Sequence, residues 1–304
     1  MHKILRFGHT SRMKSLRTDM ALEAREAEKP VPGLLWQEDD PAEGIRVTRA
    51  QVESDEAARV LGKPRGRYYT LEAPELSLRD PFLENRMSRC LAKELARLLP
   101  PPEKHQTVMV VGLGNGRVTP DSLGPKVTAL TMVTRHLIQT IPEAMDRRVR
   151  SVCAWSPGVL GITGMETAEL VRAVTERIRP WAIVAVDALA SRESRRICVS
   201  CQVADTGIQP GSGVGNARNA LTKETLGCPV IAVGVPTVVR ASVLVRDALE
   251  AAGGGSMPEM QEDMMVTPKE IDQMVDDAAH WLAMGLNLWL HPGLSREEIL
   301  DFMH

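Results

Sequence analysis

The sequence predicts an α/β fold with a doubly wound, mixed or parallel sheet flanked by helices. Short apolar runs alternate along the chain with segments whose apolar residues recur at helical spacing. Two of these runs, residues 107–111 and 181–186, each lead to a single acid, Asp121 and Asp187. Because the carboxyl edge of such a sheet is where these folds bind ligands, the two aspartates are candidates for one shared site.

The first half of the chain predicts a charged N-terminal extension followed by two helices and two strands, of which the first is the apolar run at 107–111. Residues 1 to about 45 are charged and interrupted by prolines, with a short helical pattern over 20–28. Leucine or methionine at every fourth position over 83–95 predicts a helix, which the prolines at 100–102 end. A second apolar stripe predicts one helix over 123–138, and residues 148–155 predict a strand.

The second half predicts two capped helices and three more strands. In a capping box, a hydroxyl accepts the backbone amide three residues later and a glutamate reaches back to the first residue's amide. Thr163 and Glu166 fit that spacing ahead of a helix to about residue 178. Thr267 and Glu270 fit it ahead of a helix to about His291. The predicted strands cover residues 181–187, 196–203 and 229–235.

Composition limits the classes of function. The chain has 304 residues, a formal charge of -2 and 3% aromatic residues, which argues against a nucleic-acid-binding protein. No apolar run approaches the ~20 residues that span a bilayer, and the N-terminus lacks a secretory pattern. Five cysteines, an odd number, predict no disulfide framework. We therefore expect a cytoplasmic protein without membrane contacts.

Two neighbouring aspartates suit the hydrolysis of an amide. One carboxylate can activate water, while a protonated carboxyl polarises the carbonyl or protonates the leaving nitrogen. Asp121 suits equally well the N-cap of the helix that begins near Leu123, and Asp187 also fits a solvated strand end. A third acid, in Asp205-Thr-Gly207, belongs to a lone tripeptide that predicts a turn.

Other chemistries have weaker support in the sequence. The glycines after residue 111 lack the third glycine of the dinucleotide fingerprint, and the seven histidines form no His-Glu-x-x-His pair. We predict no cofactor and no metal, although a metal site built from distant Asp and His residues stays open. Cys198 and Cys201 are predicted to be buried small hydrophobes, and His136 and His291 to be structural.

A glycine-rich loop follows the predicted strand at 196–203. Its backbone amides suit a substrate carbonyl or an anion, and a flexible turn fits equally well. Since it follows a strand, we expect it near the site. The candidate residues are Gly211, Gly213, Gly215 and Asn216.

Six segments, taken together, resemble the germination protease family of spore-forming bacteria. They occur in the family's order and span most of the chain: 15–24, 112–125, 186–192, 211–218, 234–239 and 266–272. The family consists of endopeptidases that digest small acid-soluble spore proteins, so the resemblance implies that activity during germination. Asp121 and Asp187 match the family's two catalytic aspartates position by position.

The resemblance also implies how the protein is made and assembled. Residues 15–24 are similar to the family's N-terminal processing region, and Asp19 followed by Met20 is an acid-then-apolar step like those cut in the family's substrates. We expect a zymogen that cleaves itself between Asp19 and Met20, releasing residues 1–19 as a propeptide. The remaining 20–304 would form a single peptidase domain with an N-terminal extension to about residue 80. A homotetramer inside the developing spore is expected.

Two alternative functions stay open at this point. A metal-dependent maturation peptidase is one, because the related hydrogenase-maturation peptidases share this fold type. A catalytically inactive protein that binds the same spore proteins is the other.

Overall fold

The computed structural model describes residues 18–25, 31–211, 219–254 and 264–303. Within these residues, nine strands form one sheet: β1 (Leu34–Ala42), β2 (Ile45–Val52), β3 (Gly66–Glu72), β4 (Val108–Gly112), β5 (Val152–Trp155), β6 (Ala182–Ser191), β7 (Ser200–Ala204), β8 (Val230–Arg240) and β9 (Met265–Val266). The strand order is β1-β2-β3-β7-β8-β6-β4-β5, with β9 paired to β8.

Eleven α-helices accompany the sheet in the described part of the chain. They are α1 (Ala21–Arg25), α2 (Asp55–Leu61), α3 (Pro81–Leu98), α4 (Leu123–Ala129), α5 (Arg135–Thr140), α6 (Leu160–Thr163), α7 (Thr167–Ile178), α8 (Lys223–Leu226), α9 (Ala241–Ala251), α10 (Ile271–Leu290) and α11 (Arg296–Met303). None of these helices is long and apolar enough to cross a membrane.

The α/β fold is confirmed, and its sheet is mixed. Strands β5, β4, β6 and β8 run parallel, whereas β1, β2, β3 and β7 pair antiparallel. The antiparallel half comes largely from residues 34–72, for which the sequence predicted only an N-terminal extension to about residue 80, charged as far as about residue 45. For the edge strand β1 the reason is local: most of its side chains are exposed, so the strand lacks the apolar alternation that signals a half-buried strand.

The two faces of the sheet have different coverings. Val184 and Val186 point into the core that packs under α3, α4 and α10. Ile183 and Ala185 point to the opposite face, where α7 packs. Because side chains alternate along a strand, Asp187 shares the second face with Ile183 and Ala185.

The predicted helix over 83–95 is confirmed as α3, whereas the single helix over 123–138 is wrong. The chain forms α4 and α5 instead, and long-range hydrogen bonds occupy the break between them. The Met132 amide donates to Asn287 Oδ1 at 2.9 Å, and the Thr134 amide donates to the Val152 carbonyl at 3.0 Å. These partners are in α10 and β5, so local periodicity does not reveal them.

Both predicted capping boxes are wrong. Glu166 is the N-cap of α7 and makes no side-chain cap hydrogen bond, while the Thr163 hydroxyl accepts from the Met165 amide at 3.1 Å. The Thr267 hydroxyl donates to the Thr237 carbonyl at 3.0 Å, and α10 begins without a side-chain cap. The predicted end of that helix near His291 is confirmed, since His291 is its C-cap.

The predicted strand boundaries also change. Residues 148–155 form a strand only over β5, and β7 starts at Ser200 because a 3-10 turn covers Ser194–Arg196. Cys198 has a φ of 57°, which is incompatible with a strand, so it lies outside β7 whereas Cys201 lies within it. Residues 181–187 and 229–235 are strands, but β6 and β8 both extend farther.

Candidate active site

Asp187 lies where β6 loses its neighbour β4. The last residue pair between the two strands is Gly112 with Val186, and the Leu113 amide then donates to the Val186 carbonyl at 2.8 Å. β6 does not end at Asp187, as the sequence predicted, but continues to Ser191 paired with β8. From Asp187 onward, the side of β6 that β4 covered is therefore open to other segments.

Asp121 returns to this point through a tight loop. After Gly112 the chain turns away, and a 3-10 turn over Thr119–Asp121 leads back to α4. Asp121 Oδ2 accepts a hydrogen bond from the Asn115 amide at 2.8 Å, which closes the loop. Ser122, not Asp121, is the N-cap of α4, so the capping alternative for Asp121 is wrong.

Both aspartates line one cavity of about 990 Å³. Asp187 is 7% exposed and Asp121 is half-buried. The described end of the glycine-rich loop, Gly211, lines the same cavity, while Gly213, Gly215 and Asn216 fall outside the described residues. Thr237 also lines the cavity, and its buried hydroxyl has no hydrogen-bond partner among the described residues.

The charge of Asp121 affects the protonation of Asp187. Burial raises the pKa of Asp187 well above its ordinary value, and the charges of Asp121 and Asp19 raise it further. A hydrogen bond from the Ala188 amide at 2.9 Å opposes this shift. Burial also raises the pKa of Asp121, opposed by the Asn115 amide. A pair in this arrangement favours holding one proton, because ionising both carboxyls at close range is costly.

The N-terminal segment lies along the open side of β6. The Asp19 amide donates to the Ala190 carbonyl at 3.2 Å, and the Ala190 amide donates to Asp19 Oδ2 at 3.0 Å. Helix α1 begins two residues later, and the Met20 amide donates to the Thr18 hydroxyl at 3.0 Å. Met20 is fully buried. Residues 18–20 thus lie at the candidate site, and the Asp19 carboxylate bonds to β6.

Glu23, four residues after Asp19, holds the same segment in place. Its buried carboxylate accepts from the Ser191 hydroxyl at 2.5 Å and from the Arg192 amide at 2.8 Å. The Arg196 guanidinium donates to it at 3.2 Å. These bonds hold α1 against the carboxyl end of β6.

Two side chains that sequence reasoning missed bind the carbonyl oxygen of Asp19. Lys63 Nζ lies 2.8 Å from that oxygen and 3.1 Å from the carbonyl oxygen of Thr18. Gln202 Nε2 lies 3.0 Å from the Asp19 oxygen, and Gln202 Oε1 accepts from the Ala21 amide at 2.6 Å. The contacts join residues 44 and 183 positions apart, so no local sequence signal marks them.

The remaining candidate residues have structural contacts. Cys198 and Cys201 are buried, and burial raises the pKa of Cys198 to about 12, which keeps that thiol protonated. His291 is buried, accepts from the Arg150 amide at 3.1 Å, and has a pKa lowered by burial to about 4. Asp205 pairs with Arg67 at 2.7 Å in the predicted turn.

Metal-ligating side chains do not converge in the described ranges. No group of three or more His, Cys, Asp or Glu residues there has the arrangement to hold a metal ion. The carboxyl groups of Asp121 and Asp187 share the lining of the cavity with that of Asp19.

Comparison with known proteins identifies the family of this site. A family model described as germination protease matches residues 12–252. The chain belongs to the germination protease family. Curated germination proteases match it nearly end to end: that of Clostridium perfringens is 40% identical over 326 residues, 96% of this chain and 100% of the relative. The germination protease of Caldanaerobacter subterraneus is 42% identical over 95% of this chain and 98% of its own. That of Bacillus subtilis is 36% identical over 95% and 97%. This germination protease family member is therefore a peptidase of spore germination.

Proposed function

We propose that this chain is an endopeptidase that starts the degradation of small acid-soluble spore proteins during germination, using Asp121 and Asp187 as an acid/base pair. One observation carries the proposal: at a single cavity, burial and the charge of Asp121 together raise the pKa of Asp187. Carboxyls whose pKa values are displaced in this way suit general acid/base catalysis near neutral pH.

The reaction follows from where the shared proton resides. We assign that proton to Asp187, because it is the more buried carboxyl and two neighbouring charges raise its pKa. The ionised Asp121 takes a proton from water as the water oxygen bonds to the carbonyl carbon. Asp187 then gives its proton to the nitrogen as the carbon–nitrogen bond breaks. Asp121 ends protonated and Asp187 ionised, and one proton exchange between them restores the starting state.

The zymogen proposal is supported by the position of residues 18–23. They occupy the open side of β6 beside both aspartates, so they exclude an external substrate from that edge. The Asp19–Met20 bond would be the first one cut, releasing residues 1–19 as a propeptide. Residues 1–17, which include most of that propeptide, fall outside the described residues.

Mass mapping of the products tests the activity. The purified chain, after acid treatment, is incubated with a small acid-soluble spore protein, and we expect cuts at acid-then-apolar steps. Asp121→Asn is the matched variant and should give no products. Binding without cuts would favour the non-catalytic alternative, and loss of cleavage in strong chelator would favour the metal-dependent peptidase.

Assembly and location complete the proposal. We expect a homotetramer, which light scattering would report as about four times the 33.4 kDa chain. We place the protein in the interior of the developing spore, where its substrates are, and fractionation of spores with an antibody to the chain tests this.

A further inference from the structure

The carbonyl oxygen of Asp19 accepts two side-chain hydrogen bonds at the candidate site. Lys63 Nζ donates to it at 2.8 Å and Gln202 Nε2 at 3.0 Å. This oxygen belongs to the peptide bond between Asp19 and Met20, the bond that the proposed function cuts first. The two donors therefore contact the atom on which negative charge develops during hydrolysis.

Gln202 is rigidly placed for this contact. It lies within β7, paired with Thr70 of β3 on one side and with Gly234 of β8 on the other. Its Oε1 accepts from the Ala21 amide at 2.6 Å, which turns its amide nitrogen toward the Asp19 carbonyl. The Gln202 side chain thus bonds on both sides of the bond to be cut, to Asp19 before it and to Ala21 after it.

Lys63 reaches the Asp19 carbonyl from the C-terminal end of α2. It follows the C-cap of α2, Gly62, whose φ of 63° directs the chain out of the helix, and its amide donates to the Ala58 carbonyl at 3.1 Å. Burial lowers the pKa of Lys63, while the charges of Asp19 and Glu23 oppose that shift. An ammonium with little water around it interacts more strongly with a nearby negative charge than an exposed one does.

We propose that Lys63 and Gln202 are catalytic residues that form an oxyanion hole for the carbonyl of the bond being cut, an inference that rests on the proposed function. As the oxygen of water bonds to the carbonyl carbon, the π electrons move to the carbonyl oxygen, and the two donors stabilise that charge. When the carbon–nitrogen bond breaks, the electrons return to re-form the carbonyl. Asp121 and Asp187 then only move protons, one from water and one to the leaving nitrogen.

Self-cleavage of the full chain provides the first test, because it is a first-order reaction without a binding step. Removing one oxyanion donor typically lowers the catalytic rate by about 10²–10³-fold. We expect Lys63→Met to slow the appearance of the new amino terminus by that factor and Gln202→Leu to slow it less, since its donor is uncharged. Lys93→Met, on the exposed face of α3, is the matched control and should process at the wild-type rate. Circular dichroism and thermal unfolding check that each variant folds.

A thioamide substrate separates an oxyanion hole from mere anchoring of the N-terminal segment. A peptide with the sequence of residues 15–24 is made with either oxygen or sulfur at the Asp19 carbonyl, and both are given to processed enzyme. Sulfur accepts hydrogen bonds poorly, so wild-type enzyme should lose much of kcat on the sulfur peptide with little change in KM. Lys63→Met and Gln202→Leu should show a smaller oxygen-to-sulfur rate ratio than wild type.

The outcomes separate this inference from the function on which it rests. An unchanged oxygen-to-sulfur ratio in both variants, or an effect on KM alone, would show that Lys63 and Gln202 only hold the segment. A second outcome would be that wild type cuts the oxygen peptide, Asp121→Asn is inactive and Lys63→Met is fully active. That outcome would overturn the oxyanion hole and leave the proposed protease function standing. A wild-type chain that cuts neither its own N-terminus nor a spore protein would overturn both.

Discussion

Gly112 and Gly124 lie so close to neighbouring backbone at the end of β4 that neither can carry a side chain without displacing main-chain atoms. A Cβ on Gly112 would stand 2.2 Å from the carbonyl oxygen of Gly124, and a Cβ on Gly124 would stand 2.2 Å from the carbonyl oxygen of Leu113. The same Cβ on Gly124 would stand 2.7 Å from the Val186 carbonyl oxygen. This contact seats the start of α4 against β4 and β6, and so brings the Asp121 loop beside Asp187.

Gly124→Ala should therefore disturb both stability and activity. The added methyl group meets backbone atoms that cannot move independently, and overpacking of this kind typically costs about 1–3 kcal/mol in the free energy of unfolding. We expect that loss in urea denaturation, and reduced proteolysis because the Asp121 loop shifts. Gly161→Ala is the control, since its Cβ would meet nothing within 4 Å, and its stability should not fall. Equal stability of the two variants would contradict the close approach.

Replacing either site aspartate should remove proteolysis without unfolding the protein. Asn keeps an oxygen to accept from the Asn115 amide at position 121 and from the Ala188 amide at position 187. It cannot exchange a proton, and loss of a general acid or base typically costs about 10²–10⁴-fold. Asp121→Asn and Asp187→Asn are assayed on a spore protein, with the exposed Asp301→Asn as control and strong chelator in a parallel assay. Near-wild-type turnover in either site variant would refute the acid/base pair.

Stability should depend on pH through Asp187 in a defined direction. Its pKa in the folded protein is raised, so between the unfolded and folded pKa values the folded state binds more protons. The free energy of unfolding therefore falls as pH rises through that window. Above the folded pKa, the destabilisation caused by the buried charge has reached its full size. Asp187→Asn removes this charge, so we expect the variant to be more stable than wild type at pH 7. The difference should shrink as pH falls toward about 4, the ordinary pKa of Asp.

Urea denaturation at pH 7 and at about pH 4.5 measures this difference. Asp301→Asn, on the exposed side of α11, should give the same stability as wild type at both values. An Asp187→Asn variant that is less stable than wild type at pH 7 would mean that the carboxylate is better solvated or better paired than the geometry indicates.

The cysteines should be dispensable for peptide cleavage. Cys198 and Cys201 are buried, and a thiol whose pKa is raised is a poor nucleophile. Cys201→Ala should cost about 1 kcal/mol of stability, as for other deletions of one buried heavy atom, and leave kcat/KM largely intact. Alkylation of the partly exposed Cys153 and Cys228 should also leave activity intact. Inactivity of a variant that is shown to be folded would argue for a thiol in the mechanism.

Acidification should trigger cleavage between Asp19 and Met20. Lower pH brings the two aspartates toward the state with one shared proton, because burial has raised the pKa of both. N-terminal sequencing after a pH drop should find a new terminus at Met20 in wild type and not in Asp121→Asn. An unchanged terminus in a sample that digests spore proteins would show that no propeptide needs removal. Since α1 starts at Ala21, the bond lies outside the helix, as a protease substrate must.

Local sequence patterns determined the parts of the fold whose signal lies within one element. The buried runs of β4 and β6 and the apolar stripe of α3 need only neighbouring residues to be recognised, because strand and helix periodicities are local. The same holds for the two aspartates, since each follows or ends an apolar run that predicts a sheet edge. Short segments in a fixed order were likewise enough to identify the family resemblance.

The tertiary structure alone decided which groups meet. Thr267 fits a capping box in sequence, but its hydroxyl donates to the Thr237 carbonyl in β8. Thr134 fits the middle of a helix in sequence, but its amide donates to the Val152 carbonyl in β5. The close approach of Gly112 and Gly124 brings the Asp121 loop to Asp187 because pairing between β4 and β6 ends at Gly112 and Val186, one residue before Asp187 in β6. Lys63 and Gln202 converge on one carbonyl from positions 139 residues apart in the chain. Hydrogen bonds and charges act over a few ångströms of space, whatever the separation along the sequence, so these contacts exist only once the sheet has formed.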